Sequence, residues 1–215
     1  IRDRLTGAES AAARLAAAIR AGQRIVLYGD YDVDGITGVA ILWHLLRHAG
    51  AEVSFYVPHR VDEGYGLNQA AIKSLADDGA DVIVSVDCGI TALAVADEAR
   101  RIGVDLIITD HHEPRDTLPD AVEIVHPRVG SPYPNADLCG AGVAFKLAWA
   151  LAQQLSGAER VDLAFRKLLT DLLPLAARGT IADIVPLIGE NRILTACGLA
   201  LLGQSPFPGI RALLE

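Results

Sequence analysis

Three short runs rich in β-branched and apolar residues each break off into carboxylates, and this repetition constrains the 215-residue chain more than any compositional value. Ile25–Tyr28 runs into Gly29-Asp30-Tyr31-Asp32-Val33-Asp34-Gly35, Asp81–Val86 into Asp87-Cys88-Gly89, and Val104–Thr109 into Asp110-His111-His112. Between these runs the apolar residues take helical spacing, over Ile36–Ala49, over Asn68–Ala76 with Asn68 as the N-cap, and over Thr91–Arg101. Further strands are expected at Val53–Val57 and Val122–Val125. Strand and helix in alternation predict an α/β fold, a parallel sheet with helices on both faces. After Pro127 the texture changes. Gly142–Leu155 and Val161–Ala177 read as long helices with no strand between them, so the expectation is an α/β body over residues 1–155 and a helical extension over 156–215.

Composition limits what such a fold can do. With 27 acidic against 19 basic side chains, the net charge of -8 repels a phosphate backbone unless cations reverse the local field. Cys88, Cys139 and Cys197 form no CxxC pair, which argues against a disulfide framework or a structural zinc site; Cys88 and Cys139 read as small buried fillers. A reducing cytoplasm is expected. No run approaches the ~18 apolar residues of a membrane span, and the first twenty residues read as an Ala-rich amphipathic helix rather than a signal peptide. The chain has no Met and stops at Arg211–Glu215 within a helical pattern, which predicts a piece of a longer protein.

In open parallel sheets, ligands bind beyond the carboxyl ends of the strands. Five Asp and two His therefore converge on one edge. Burial and like charge raise carboxylate pKa values, and divalent cations relieve that conflict. An oxygen-rich set with a few imidazoles suits manganese or magnesium better than zinc. Two such ions about 4 Å apart, sharing a carboxylate, can activate water and clamp both the attacking and the leaving oxygen of a phosphoryl transfer. Asp87, alone after the middle strand, is the expected bridge. Taken singly, Asp30 or Asp34 reads more readily as a helix cap or loop carboxylate than as a ligand; the combination outweighs that reading.

Two segments offer substrate contacts. In His59–Asn68, glycines including Gly66 permit a tight backbone path, Arg60 can contact phosphate and Tyr65 can stack on a base, although the same loop reads as a solvated connector. Gly140-Ala141-Gly142 at a helix start places N–H groups where a phosphate could sit, or allows close helix packing.

The blocks GDYDVDGITG (29–38), PHRVDEGYGLN (58–68), VSVDCGI (84–90), TDHHEP (109–114), YPNADLCGAGVAFKLAWAL (133–151) and GTIADIVPL (179–187) together resemble the DHH phosphoesterase superfamily and, within it, the RecJ-type exonucleases. The resemblance implies a two-manganese phosphodiesterase core, with magnesium as the alternative metal and with Asp32, Asp34, Asp87, His111 and Asp183 as ligands. Asp183 enters through the resemblance alone. Asp30 is implied as a further ligand or a supporting base. His112 becomes a phosphate contact or transition-state stabiliser, and Asp110 the group that orients an imidazole. The implied activity is 5′ to 3′ hydrolysis of single-stranded DNA in repair and recombination, with single-strand-binding protein and a recombination helicase as partners and no membrane. Alternatives within the superfamily are an oligoribonuclease, a cyclic-dinucleotide phosphodiesterase, a manganese pyrophosphatase or a non-catalytic replication scaffold. The family's DHH-associated domain and oligonucleotide-binding domain find no counterpart here, and His126 stands where the family pattern has Asn.

Overall fold

The computed structural model describes residues 5–131 and 133–215. Five strands, β1 (Arg24–Gly29), β2 (Glu52–Tyr56), β3 (Val82–Val86), β4 (Asp105–Thr109) and β5 (Glu123–Val125), form one sheet in the order β2-β1-β3-β4-β5. Every pairing is parallel. The central strands β1, β3 and β4 are buried on both faces, as their apolar runs require, whereas the edge strand β2 is partly exposed. Ile25, Leu27, Val82, Val84, Val86 and Ile107 pack into the larger core, with α1 (Ala8–Ala21), α2 (Val33–His48), α6 (Gly140–Ser156), α7 (Leu163–Ala182) and α8 (Gly189–Leu201). Val26, Tyr28, Ile83, Leu106 and Ile108 face the smaller one, against α4 (Gln69–Asp77) and α5 (Leu93–Ile102). Two short helices, α3 (Arg60–Glu63) and α9 (Pro208–Ala212), lie outside these layers' long helices.

Connections from β1 run through α2 toward β2, and those from β3 run through α5 toward β4, so the chain departs to opposite sides at the β1/β3 boundary. A crevice opens at such a switch point. The register decides what faces it. Gly29 pairs with Val86 and Val86 with Thr109, and the ladder continues one residue further: Asp30 N donates to Val86 O, Asp87 N to Thr109 O and Asp110 N to Val125 O. Asp30, Asp87 and Asp110 therefore stand side by side on adjacent strands.

Helix boundaries differ from the sequence reading where side chains make unanticipated bonds. α2 starts at Val33 rather than Ile36 because Asp32 caps it, accepting from Gly35 N at 2.9 Å. Asn68 caps α4 as expected, accepting from Ala71 N at 2.7 Å. α7 passes through Pro174 and Gly179 to Ala182, five residues beyond the predicted end at Ala177. Gly179 has the look of a helix stop, but its missing Cβ serves packing: a methyl group there would lie 2.5 Å from Ala141 Cβ and 2.6 Å from Asp34 Oδ1.

Candidate metal centre

Asp87 occupies the middle of the row and is 1% exposed. Its φ of 64° lies in the left-handed region, which Asp tolerates better than most residues but which still stores strain. Gly140 supplies the space for its carboxylate, since a Cβ at 140 would meet Asp87 Oδ1 at 2.5 Å. On one side of Asp87 lie Asp30, whose Oδ1 accepts from Tyr31 N at 2.7 Å, and Asp32, which caps α2 through one oxygen and has a second to offer. The cap and ligand readings of Asp32 are thus compatible.

On the other side the start of α6 holds Asp34. Gly140 N donates to its Oδ2 at 2.5 Å and Ala141 N to its Oδ1 at 2.8 Å. Gly142 N meets Cys139 Sγ at 3.4 Å. The expectation that Gly140 and Gly142 present free amides to a phosphate is therefore corrected: these residues are buried, and the helix start, where backbone donors lack intrahelical partners, already binds a carboxylate of the chain itself. Cys88 and Cys139 are buried with thiols pushed well up by burial, consistent with fillers rather than nucleophiles.

Asp183 closes the ring as the C-cap of α7. An acidic side chain at a helix C-terminus faces the unfavourable end of the dipole, the one local signal that could have marked it. Ile184 follows with φ 60°, a strained value for a β-branched residue, so the turn bearing Asp183 is held against local preference. His111 stands inside this ring. Its Nε2 lies 3.2 Å from Asp87 Oδ1, 3.7 Å from Asp183 Oδ2 and 3.8 Å from Asp34 Oδ2.

Those distances define an electrostatic problem. Burial pushes the carboxyl groups of Asp30, Asp34, Asp87 and Asp183 above their ordinary range, and for Asp87 the charges of Asp34 and Asp32 push it further. Asp87 Oδ1 and His111 Nε2 are both buried, and among the described residues neither has a hydrogen-bond partner of acceptable geometry despite their proximity. Buried polar atoms are rarely left in this state without an ion or water between them. Three overlapping sets bring ligand atoms within 4.8 Å of one another: Asp30, Asp32 and Asp87; Asp34, His111 and Asp183; and Asp87, His111 and His112. The donor types fit a hard or borderline divalent cation, and the orphaned atoms point where it would bind.

His112 belongs to the rim. Its Nδ1 is 2.7 Å from Asp110 Oδ1, and Asp110 also accepts from His111 N, His112 N and Ile90 N. Burial raises the Asp110 carboxyl, but the bonds from His112 and Ile90 prevail and hold it below its usual value. The same bond raises the His112 imidazole against the opposing effect of burial. Asp110 is thus saturated with donors and orients His112 rather than offering a metal ligand, which also makes His112 the weakest member of its ligand set. Tyr65 Oη lies 3.2 Å from His112 Nε2. His126, fully buried and with its imidazole pushed down by burial, accepts from Arg128 N through Nδ1 and reaches His112 O at 2.8 Å through Nε2, bracing the histidine pair from behind. Gly66, with φ 82°, carries the turn behind Tyr65, and its carbonyl accepts from Tyr28 Oη. Arg60 lies over the ring of Tyr31, which stands between the carboxylates Asp30 and Asp32 and which the sequence pattern does not single out.

Residues 24–179 match the family described as "DHH family, N-terminal domain". The chain belongs to the DHH family. Over 212 residues it is 43% identical to the single-stranded-DNA-specific exonuclease RecJ of Bacillus subtilis (strain 168), an alignment covering 98% of this chain and 25% of that protein. A crystal structure of exonuclease RecJ bound to manganese superposes with a TM-score of 0.89 at 42% identity, covering 99% of this chain and 52% of that one. RecJ of Thermus thermophilus in complex with Mn2+ gives a TM-score of 0.84 at 39% identity, covering 98% and 29%. This DHH chain thus spans about a quarter to a half of the relatives it matches, and that part carries the whole carboxylate ring. Among the described residues no helix is long and apolar enough to cross a membrane.

Proposed function

We propose that this chain is the catalytic core of a metal-dependent phosphodiesterase that hydrolyses single-stranded DNA from the 5′ end in repair and recombination. The observation that carries the reading is the buried, unpartnered pair Asp87 Oδ1 and His111 Nε2, enclosed by Asp34 and Asp183. Asp30, Asp32 and Asp87 would hold one divalent cation, and Asp34, Asp87, His111 and Asp183 the other, with Asp87 shared. Manganese, or magnesium in its place, would supply Lewis acidity there, activating water and neutralising phosphoryl oxygens. Gly140 and Ala141 fix the Asp34 carboxylate, and Asp110 aims His112 at the charge that builds on the phosphate. Arg60 and Tyr65 stand at the rim for phosphate and base. Residues 156–215 complete the core of the α/β body by bringing Asp183. A cytoplasmic location, single-strand-binding protein and a recombination helicase follow from the family resemblance as part of the same proposal.

End-labelled single-stranded DNA, a short RNA and pyrophosphate, each incubated with the chain in manganese, test the reading. DNA turnover exceeding the other two by at least tenfold is expected. Comparable turnover of pyrophosphate or RNA would overturn it in favour of a smaller DHH phosphoesterase.

A further inference from the structure

The sequence holds five tyrosines, and four have a hydroxyl partner: Tyr28 with Gly66 and Asn68, Tyr56 with Glu63, Tyr65 with His112 and Tyr133 with Glu190. Tyr31 has none among the described residues. Its ring makes two contacts: the Arg60 guanidinium lies 5.1 Å from its centroid, and Tyr65 meets it edge-on at 6.4 Å with an interplanar angle of 81°. Tyr31 is only half-buried, and Arg60 and Tyr65 are exposed, so the aromatic cluster they form lies open to solvent. Its neighbours in sequence are the ring carboxylates Asp30 and Asp32.

We propose that Tyr31, walled by Tyr65 and covered by Arg60, is a stacking subsite for the nucleobase adjoining the scissile phosphate. The guanidinium occupies the place a flat π partner would take, since a planar cation and a nucleobase stack on the same aromatic face. When a base enters, Arg60 leaves the ring and gains a phosphate oxygen as a bidentate partner. A base stacked on Tyr31 must leave its place in a duplex, which costs unpairing and unstacking in paired DNA and far less in a single strand. The subsite therefore favours unpaired strands without reading sequence, because every base has a π face. The hydroxyl has no part in this, so Phe should replace Tyr.

The inference rests on the function proposed above, and two separate readouts keep their failures apart. Affinity for a fluorescent single-stranded oligonucleotide is measured by anisotropy with calcium in place of manganese, and cleavage of the same strand is measured with manganese. Each is run on a normal strand and on one with an abasic site at the terminal nucleotides. Tyr31→Ala and Tyr31→Leu are expected to weaken binding and raise KM about ten- to a hundredfold on the normal strand with kcat changed little, Tyr31→Phe to match wild type, and all four proteins to converge on the abasic strand. Wild-type affinity for Tyr31→Ala, an equal loss on both strands, a Phe variant as weak as Ala, or no binding by the wild type would overturn the subsite. Base-dependent binding that needs Tyr31, found in a chain that cuts no strand, would sustain the subsite and refute the phosphodiesterase reading.

Discussion

The side chains of Asp34 and Asp87 are 1% and 2% exposed and crowd around His111, whereas His112 is 45% exposed beside Tyr65, Tyr31 and Arg60 in the same crevice. The inner ring is short of partners and the outer rim has them: Asp87 and His111 each leave a buried atom unsatisfied, while His112 is bonded to Asp110 and faced by Tyr65. Like charge held together by backbone amides and glycine packing is unfavourable until a cation enters. The rim has no such deficit, and in the function proposed here it is the part that would meet a base and a phosphate. The charged ring and the aromatic rim thus lie next to one another within one crevice.

The strongest way to break this contrast is to remove the residue at its centre. Asp87→Ala should lower manganese-dependent cleavage at least about a thousandfold, because several kcal/mol of transition-state stabilisation would depend on the carboxylate that the two proposed ions share. The far-ultraviolet circular dichroism should be unchanged, and the metal-free protein should melt no lower than wild type, since a buried carboxyl group left without a partner is gone. Retained activity would refute the bridging role.

A smaller effect tests whether backbone packing holds the ring. Gly140→Ala drives a methyl group into Asp87 and should reduce manganese affinity, read by calorimetry, about ten- to a hundredfold, with a stability loss of about 1–3 kcal/mol from overpacking. Rim residues are untouched by this change, so any effect on oligonucleotide binding in the absence of metal would blur the inner and outer roles.

The mildest perturbation is pH. The inner carboxyl groups titrate above their unfolded values, so the folded chain binds more protons than the unfolded one in the interval between, and their contribution to stability falls as pH rises through it. From about pH 5 to about pH 8 the metal-free chain should lose thermal stability through these groups, and Asp87→Ala should lose less. Manganese near a hundred times its Kd should raise Tm by about 5–10 °C, with the larger gain at the higher pH, where ligands need not release protons to bind. An equal gain across that range would mean that the ring is not protonated in the metal-free state.

Much of the architecture follows from local patterns. Continuous apolar runs require strands buried on both faces, and Asn68 marks the start of α4 by its side chain. The carboxylates at the three strand ends were legible because a parallel sheet brings those ends to one edge. Asp183 was not, since a lone acid after a helix has no periodic signature and comes into the ring only through the packing of α7 on α2 and α6. The glycines at the start of α6 were misjudged for a related reason: a helix start binds anions, but which anion occupies it depends on what the fold delivers, here Asp34. Tyr31 was hidden by its neighbours, and its contacts come from the loop carrying Arg60 and Tyr65.

The linear chain thus determined the element types, the parallel sheet and the acids at its edge, because those depend on period, propensity and chain direction. Only the tertiary structure decided which oxygen meets which amide, which atoms stay unpaired and which ring lies open, because these depend on approaches of a few ångströms between segments as far apart as Asp34 and Ala141.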